Sequence, residues 1–506
     1  MFLLLITLLS IILAVLMNFS KAINLGKPKP ARKLPPGPRP LPLIGNLHQF
    51  DKTKPHIYLW EVSKKYGPLA CLKHGSTPTL VVSSAELAKE ILKTHDLSFC
   101  SRPPVLGQQK LSYGGIDMAF APFGDHWKKM RKVCVHNLFS PKQVASFRSI
   151  REDEVSRMVE KISDLGNSPA NFSEIAMSIA CNLICRVAFG RRYEDEEYRE
   201  IRFDRLVMEA QESMVSFYFS DNFPGLRWLD ELSGKLLRVN KNFKELDLFY
   251  QQLIDEHVNP GRIRVGGYED IIDLMLHLKN QDSSSLDLTL EHIKALLLDL
   301  FVAGSDTVAA AIVWTMTALI KRPQLMKKAQ TEIREIIGKC SKLVSEEDIK
   351  KLPYLRATVF ESLRLYPPAP LLYRKQIMQA GECVLLNDYK VEPGTSVIIN
   401  GWAISRDPEI WENPEEFVPE RFMGDDQVFA ARMGGLEMIP FGGGRRGCPG
   451  MGMGMVSIQV ALANLLYSFD WSLPCGVKMN DVDTESIPGL TTHKKNALIL
   501  VPCKYN

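Results

Sequence analysis

The chain has 506 residues, of which 45% are hydrophobic and 24% are charged, and its formal net charge at pH 7 is +4. This is the composition of an ordinary globular protein, and the mild charge without a basic tract predicts no nucleic-acid partner. The ten cysteines are scattered and form no Cys-x-x-Cys pair. Such usage argues against a disulfide framework and fits a reducing compartment.

An apolar run opens the chain, from Phe2 to Phe19. As a helix it would extend roughly 27 Å, close to the thickness of a bilayer core. A cleaved signal peptide is the alternative, but no basic residue precedes the run, whereas Lys21, Lys27 and Lys29 follow it. By the positive-inside rule, residues 1–20 are predicted to be an uncleaved anchor with the bulk of the chain in the cytosol.

The next segment, residues 21–46, is basic and rich in proline. Because prolines stiffen the backbone, it is predicted to be a short hinge, with a disordered linker as the alternative. The apolar residues Leu41, Leu43 and Ile44 favour docking of its last part on the globule. No internal repeat follows, and residues 47–506 are predicted to form one globular domain.

Helical periodicity dominates this domain, and two short β elements interrupt it. One is predicted to join residues 69–74 to residues 79–83, and the other covers residues 389–400 around the Pro393-Gly394 turn.

The longest predicted helix covers residues 289–321 and ends before Pro323. It is apolar almost all round from Ala295 onward, so it is expected to cross the core. A second membrane span is the alternative, but Asp299 and Asp306 would then cost several kcal/mol within a bilayer.

The centre of that helix reads Ala303-Gly-Ser-Asp-Thr307. Gly304 weakens the helix, and the Thr307 hydroxyl is expected to donate to the Ala303 carbonyl four residues back, which bends helices. The result is a groove lined by the Asp306 carboxyl and a hydroxyl, which suits dioxygen binding and proton relay.

Two carboxyl-terminal motifs contain an acid and two arginines. Glu361 and Arg364 share a helix face, and their apolar surroundings indicate burial, where a third partner is needed. Arg421, in Pro419-Glu-Arg-Phe422, is the candidate third member.

The ten residues from Phe441 to Gly450 form a glycine-rich loop before a helix predicted over residues 451–467. Cys448 lies at the start of that helix, where the helix dipole is expected to lower the pKa of a thiol. The glycines allow close approach of a flat ligand, and Arg446 offers a fork of donors to a carboxylate. These residues suit an iron porphyrin, whereas a dinucleotide fold is not indicated because Gly-x-Gly-x-x-Gly spacing is absent.

This loop resembles the haem-binding loop of the cytochromes P450, Phe-x-x-Gly-x-Arg-x-Cys-x-Gly, at Phe441, Gly444, Arg446, Cys448 and Gly450. The segments 303–307, 361–364 and 419–422 resemble the oxygen-activating motif and the structural triad of that family. Other segments, 120–127, 400–407 and 489–495, look like the plant A-type microsomal class. The resemblance implies a mainly α fold with a small β subdomain, a long central helix and an N-terminal membrane anchor.

The resemblance also implies residue roles. Cys448 would ligate the haem iron, and Asp306 and Thr307 would direct protons. Trp127, Arg131 and Arg374 would hold haem propionates, although the chain reads Tyr373-Arg374-Lys375 where the plant pattern is usually Pro-Arg-Glu. Glu361, Arg364 and Arg421 would lock the loop that leads to Cys448.

The implied reaction is reductive activation of dioxygen, in which one oxygen atom enters an apolar substrate and the other becomes water. No flavin or nicotinamide motif is visible in the chain, so a separate reductase is expected to supply the electrons. The resemblance implies that this partner is an NADPH-dependent flavoprotein on the same endoplasmic reticulum membrane. The class acts mostly on specialised metabolites such as terpenoids, alkaloids and phenylpropanoids. Oxidative coupling, desaturation or rearrangement by the same haem-thiolate centre is one alternative, and a haem sensor or carrier without turnover is another.

Family position also implies a substrate pocket that is apolar and partly aromatic. Phe217 and Phe219 are equally well interpreted as ordinary core aromatics. The expected lining residues are Tyr113, Phe120, Phe217, Phe219, Val302, Ala303, Ala369, Leu371, Leu372, Leu490 and Thr491.

Overall fold

A computed structural model of the chain describes residues 34–192, 194, 203–262, 268–280, 287–338, 341–377, 384–424 and 426–505. Helices dominate these residues and the strands are short, which confirms the predicted mainly α class with a small β subdomain. The predicted anchor, residues 1–20, and the basic part of the hinge lie outside the described residues.

Helices and strands alternate irregularly along the described chain. The α-helices are α1 Pro55–Tyr66, α2 Ala85–Lys89, α3 Asp96–Phe99, α4 Leu106–Leu111, α5 Asp125–Val133, α6 Pro141–Ser146, α7 Arg148–Asp164, α8 Phe172–Phe189, α9 Phe203–Val215, α10 Phe219–Asn222, α11 Arg227–Leu232, α12 Lys235–Val258, α13 Ile271–Asn280, α14 Leu290–Gly304, α15 Asp306–Ile320, α16 Pro323–Ile337, α17 Pro353–Leu365, α18 Gly401–Ile404, α19 Asp426–Gly434 and α20 Met451–Ser468. The π-helical turns are Glu90–Thr94 and Cys134–Leu138, and the 3-10 turns are Pro224–Leu226, Asp348–Lys351, Pro419–Phe422, Gly444–Arg446 and Met479–Asp481. The strands are β1 Leu69–His74, β2 Thr77–Val82, β3 Ala170–Asn171, β4 Leu371–Lys375, β5 Val384–Leu386, β6 Tyr389–Val391, β7 Ser396–Asn400, β8 Phe469–Ser472, β9 Ser486–Ile487, β10 His493–Lys494 and β11 Ile499–Lys504.

The largest sheet of the described residues has the order β1-β2-β7-β4. Strands β1 and β2 form the predicted hairpin, with β2 beginning at Thr77 because Gly75, at φ +57°, allows a tight two-residue turn. The predicted element over residues 389–400 divides into β6 and β7, since Gly394 turns the chain at φ +81°. Strand β7 pairs in parallel with β2 and antiparallel with β4.

The described part of the hinge docks on β1, as predicted, but through its backbone. The Asn46 N–H donates to the Lys73 carbonyl at 2.6 Å, and the Cys71 N–H donates to the Pro36 carbonyl at 2.9 Å. A Cβ atom added at Gly37 would lie 1.9 Å from the Cys71 oxygen, so glycine is required there. The expectation that Leu41, Leu43 and Ile44 dock the hinge is wrong, because these side chains stay exposed.

The central helix is confirmed as α14 and α15, which continue one another from Leu290 to Ile320 and lie largely inside the globule. Thr289 caps its start by accepting a hydrogen bond from the His292 N–H, and Pro323 begins the next helix. A Cβ atom added at Gly304 would lie 2.7 Å from Ile184 Cδ1, so this glycine also permits close packing on α8.

Three helical spans in the described chain are long and apolar enough to cross a membrane by length and composition: α8, α14 with α15, and α20. All three bury most of their residues within the protein, 78% for the central span. Helix α20 also confirms the helix predicted after the cysteine loop, one residue longer than expected.

Candidate active site

The loop before α20 is folded on itself by backbone hydrogen bonds. The Cys448 N–H donates to the Phe441 carbonyl at 2.8 Å, and the Gly447 N–H donates to the Gly444 carbonyl at 3.0 Å. Gly444 has a φ of +64°, and a Cβ atom there would lie 2.5 Å from both Asp96 Oδ1 and the Leu92 oxygen. The loop therefore requires glycine at this position for backbone conformation and for space.

Cys448 lies deep in the protein, yet the residue remains accessible to a ligand. Burial raises the pKa of its thiol, and the Gly450 N–H and the Arg131 charge oppose that rise without reversing it. The expectation that the helix terminus lowers the pKa of Cys448 is therefore wrong. Loss of hydration raises this pKa by more than the helix terminus lowers it. A cation that binds the sulfur would favour the thiolate.

Four guanidinium groups converge near this loop. Arg446 donates to the carbonyls of Cys100, Met118 and Ala121 at 2.7, 3.3 and 2.6 Å. Arg374 donates to the Tyr373 carbonyl at 3.0 Å and reaches the Gly443 carbonyl at 3.5 Å. The other two groups belong to Arg102, which donates to the Ala119 and Tyr373 carbonyls, and to Arg131, which reaches Met118 Sδ.

The charged forms of these arginines are destabilised by burial and by one another. Burial lowers the pKa of Arg446 to about 9 and that of Arg102 to about 10, and it also lowers the pKa of Arg131 and Arg374. The Arg102 and Arg446 charges further depress the pKa of Arg374. Within the described residues none of the four forms an ion pair with a carboxylate. A cofactor that carries two carboxylates fits this donor set, so the residues present suit a haem with its propionates.

Trp127 and Arg131 share one face of α5, as their spacing predicts. The Trp127 indole N–H donates to the Met118 carbonyl at 3.0 Å, and the Arg446 guanidinium lies 4.1 Å from the Trp127 ring centroid. This cation–π contact holds the Arg446 guanidinium against the indole. Arg102 was missed by sequence reasoning, since it belongs to no motif that the sequence analysis used.

The central helix breaks at Ser305, between α14 and α15. The Thr307 hydroxyl donates to the Ala303 carbonyl at 2.6 Å, which confirms the predicted contact, and the Ser305 hydroxyl donates to the Phe301 carbonyl at 2.6 Å. Ala303 is exposed and Thr307 is partly exposed, although the helix around them is buried. The break therefore leaves the Ala303 side chain and the Thr307 hydroxyl accessible. Both lie beside Asp306, which is buried.

Glu361 and Arg364 form a fully buried bidentate ion pair, with N–O distances of 2.7 and 2.8 Å. Arg421 Nε lies 3.4 Å from Glu361 Oε1, so the three residues meet as expected. Arg364 also donates to the carbonyls of Ser405, Pro414 and Glu416. The arginine thus fastens the segment that leads toward the cysteine loop.

A second pair of buried acids was not predicted as a pair. Asp299 Oδ2, on α14, accepts from the Met118 and Ala119 N–H groups at 2.9 and 3.2 Å, and Asp117 Oδ2 accepts from the Phe120 N–H at 2.9 Å. The two carboxyl groups contact each other. Burial raises the pKa of Asp117 to about 6, and burial with the Asp117 charge raises that of Asp299 well above its usual range. The pair therefore shares a proton near neutral pH.

The expected pocket residues do not share one environment. Val302 and Thr491 are buried, and the Tyr113 hydroxyl donates to Asp247 Oδ1 at 2.7 Å. Phe217 lies between the ammonium groups of Lys52 and Lys235, at 4.8 and 5.6 Å from its ring centroid, and packs on Phe219. The remaining expected residues are Phe120, Ala303, Ala369, Leu371, Leu372 and Leu490, all partly or fully exposed.

A separate group of possible metal ligands consists of His257, Asp270 and Asp273. The Arg262 guanidinium already contacts both carboxylates, at 2.6 and 2.8 Å. We therefore interpret this group as an ion-pair network that ties α12 to α13.

Comparison with known proteins places these features in one family. The cytochrome P450 family model matches residues 35–501. The chain is 47% identical to 6,7,8-trihydroxycoumarin synthase of Pastinaca sativa over 93% of each chain, and 43% identical to strychnine-11-hydroxylase of Strychnos nux-vomica over 93% of this chain and 91% of that one. A zebra fish cytochrome P450 structure with abiraterone is similar at a TM-score of 0.73 and 25% identity, covering 89% of this chain and 100% of that chain.

The chain belongs to the cytochrome P450 family. It is an oxidoreductase with a haem-thiolate cofactor, and it uses dioxygen and electrons that a reductase supplies. Its activity is that of a monooxygenase of plant secondary metabolism.

Gly444 provides a test of the loop. Gly444→Ala should sharply lower the haem content of the purified protein, because the new Cβ atom meets Asp96 and the Leu92 carbonyl. Gly454→Ala is the matched control, since it lies within α20 and a Cβ atom there meets nothing within 4 Å. The control should keep its haem and gain roughly 0.5–1 kcal/mol of stability. Equal haem content in the two variants, measured by the pyridine haemochrome assay, would contradict the assignment.

The acid pair predicts a pH dependence of stability. In the unfolded chain both carboxyl groups ionise near pH 4. The folded state holds protons to about pH 6 on Asp117 and higher on Asp299, so it binds more protons. The stabilising contribution is therefore fully present below about pH 4 and is lost as the pH rises through about 6.

Asp117→Asn should flatten this dependence, because an amide donates to the Asp299 carboxylate at any pH. The free energy of urea unfolding of the variant should change less between pH 5 and pH 8 than that of the native chain. Asp125→Asn, at an exposed position, is the control and should leave the slope unchanged. If the free energy of unfolding of Asp117→Asn changes with pH as much as that of the native chain, the acid pair does not cause this pH dependence.

Proposed function

We propose that this enzyme hydroxylates a polycyclic apolar metabolite that contains an aromatic ring. The observation that carries the proposal is the break of the central helix, where the Thr307 hydroxyl contacts the Ala303 carbonyl beside the buried Asp306. The relatives named 6,7,8-trihydroxycoumarin synthase, xanthotoxol synthase and strychnine-11-hydroxylase support this substrate class. The small Ala303 side chain leaves room for a flat ring system at the break.

In this proposal the arginines and the cysteine loop hold the cofactor. Cys448 binds the iron, and Arg102, Arg131, Arg374 and Arg446 neutralise the two propionates. Trp127 orients Arg446, and the backbone at Phe441, Gly444 and Gly450 allows the porphyrin to lie close. The support is the cationic donor set, which lacks carboxylate partners among the described residues.

The haem, when bound, supplies the redox chemistry that activates dioxygen. The chain supplies positioning and protons. The Asp306 carboxyl and the Thr307 hydroxyl relay protons toward the accessible face. Phe120, Ala303, Ala369, Leu371, Leu372 and Leu490 exclude water and orient the apolar substrate. The segment that leads toward the cysteine loop is kept in place by Glu361, Arg364 and Arg421.

Thr307→Ala tests the proposal. Haem and substrate binding should stay near normal, but less of the NADPH consumed should yield product and more should yield hydrogen peroxide. Proton delivery by a positioned group contributes roughly 10²–10⁴-fold, so a clear loss of product per NADPH is expected. The assay combines the membrane-bound enzyme, an NADPH-dependent flavoprotein reductase and a plant metabolite extract, with products identified by mass spectrometry.

Three controls accompany this measurement. Thr307→Ser retains the hydroxyl and should retain most of the product. Cys448→Ala should abolish the thiolate-type absorption of the carbon monoxide complex. Omission of the reductase should stop turnover, since the electrons then have no source. Full product yield from Thr307→Ala would refute the proton role, and turnover without NADPH would instead favour rearrangement by the same centre.

We further propose single-pass attachment to the endoplasmic reticulum membrane by residues 1–20, with residues 47–506 in the cytosol as the catalytic domain. The supporting observation is an exposed apolar face on α11 and the start of α12. Trp228, Leu232 and Leu237 are 53%, 76% and 78% exposed. Apolar side chains in such numbers at one place mark a contact surface.

Contacts link this face to the hinge. The Ser76 N–H donates to the Asn222 carbonyl just before α11, and the Gly75 N–H donates to the Ile44 carbonyl of the hinge. The hinge side chains Leu41 and Leu43 are exposed as well. These contacts bring the chain before α11 close to the described end of the hinge, which supports a membrane contact at this face.

Vesicle flotation tests this orientation. A chain without residues 1–33 should still bind phospholipid vesicles weakly and keep its haem. Leu232→Glu in that chain should lower vesicle binding about tenfold, because burial of one leucine contributes about 1.5–3 kcal/mol. Leu385→Glu is the matched control at an exposed leucine of the β5–β6 hairpin and should bind as before. Equal binding of both variants would argue against the face, and loss of haem on truncation would place the N-terminus in the core.

A further inference from the structure

The acid at the helix break has an ionisable neighbour that has no role in the proposed mechanism. His493 Nε2 lies 2.8 Å from Asp306 Oδ1. The Asp306 side chain is 9% exposed and the His493 side chain is 31% exposed, so the imidazole stands between the buried carboxyl and solvent. In the described part of the chain, no other lysine, arginine or histidine lies within ion-pair distance of this carboxyl.

The position of His493 is fixed by its neighbours along the chain. The Thr492 N–H donates to the Pro368 carbonyl at 2.8 Å, and the Trp314 indole N–H of α15 donates to the Thr492 carbonyl at 3.0 Å. Lys494 is buried and donates to Asp483 at 2.9 Å and to the Asn496 carbonyl at 2.9 Å. The β9–β10 hairpin is therefore attached to α15 directly beside the imidazole, which leaves His493 little freedom.

Asp306 needs such a neighbour for a physical reason. Asp306 is the first residue of α15, and its carboxyl is only 9% exposed. An imidazole nitrogen 2.8 Å from the carboxyl oxygen favours one orientation of that side chain and offsets part of the cost of burying it. The same imidazole borders solvent, so it joins the buried acid to water.

We propose that His493 is a positioning residue for proton delivery: it holds the Asp306 carboxyl at the helix break and links it to solvent. The inference rests on the proposed role of Asp306. It assigns a function to the 489–495 segment, which the proposed mechanism otherwise uses only for pocket lining. The contact joins residues far apart in sequence, and no motif spacing reports it.

Four variants test the inference: His493→Phe, His493→Gln, Asp306→Asn and the double variant His493→Phe with Asp306→Asn. Phenylalanine keeps the ring shape without an N–H, whereas glutamine retains a donor of similar reach. His493→Phe should lower the product formed per NADPH about tenfold and raise peroxide correspondingly. His493→Gln should recover at least half of the native ratio. Lys495→Gln, on the exposed side of the same hairpin, is the matched control and should not change the ratio.

The double variant separates positioning from general damage to the hairpin. If His493 acts through Asp306, adding His493→Phe to Asp306→Asn should lower the ratio no further. The native chain, His493→Phe, Asp306→Asn and the double variant are also compared by urea unfolding without turnover. The effects of the two substitutions on the unfolding equilibrium constant should be non-additive, because each one removes the same contact.

Two results would overturn the inference: a native ratio in His493→Phe, or effects of the two substitutions that multiply in both assays. If Asp306→Asn lowers the ratio and His493→Phe does not, only the role of His493 fails. If Asp306→Asn itself keeps the native ratio, the proposed role of Asp306 fails and the inference fails with it.

Discussion

The ion pair between Glu361 and Arg364 is the constraint on which the site depends. Both side chains are fully removed from water, and a bidentate contact alone does not offset that desolvation. The carbonyls of Ser405, Pro414 and Glu416 supply the remaining hydrogen bonds of the guanidinium. Trp411 covers the guanidinium at 5.0 Å and donates to the Glu437 carbonyl, close to the start of the cysteine loop. Helix α17 thus determines where that loop lies.

The peptide of Met118 joins the two halves of the site. Its carbonyl accepts from Trp127 and Arg446, and its N–H donates to Asp299 of the central helix. An indole and a guanidinium therefore hold one side of this peptide, and a buried acid pair holds the other. Through Asp299 the peptide is attached to α14, the helix that ends at the break before Asp306 and Thr307.

The secondary-structure elements could be predicted from local sequence patterns. The contacts between residues far apart in the sequence could not. The Thr307–Ala303 contact, the strand over residues 69–74 and helix α20 were predictable, because each depends on residues within a few positions of one another. The Asp117–Asp299 and His493–Asp306 contacts join residues some 180 positions apart and leave no periodic signal. The predicted pKa direction of Cys448 failed for the same reason, since burial is a property of the folded chain.

The parallel pairing of β2 with β7 has a consequence for biosynthesis. Strand β2 ends at Val82. Its parallel partner, β7, is complete only when the chain has been synthesised to Asn400. At ribosomal speeds of roughly 5–20 residues per second, the β1–β2 hairpin waits for roughly 15 to 60 seconds with one edge unpaired. An exposed edge is a template for wrong strand partners, so chaperone protection of the nascent chain is most needed over this interval. Slowing translation between these strands should therefore increase aggregation of newly made chains more than slowing it after residue 400.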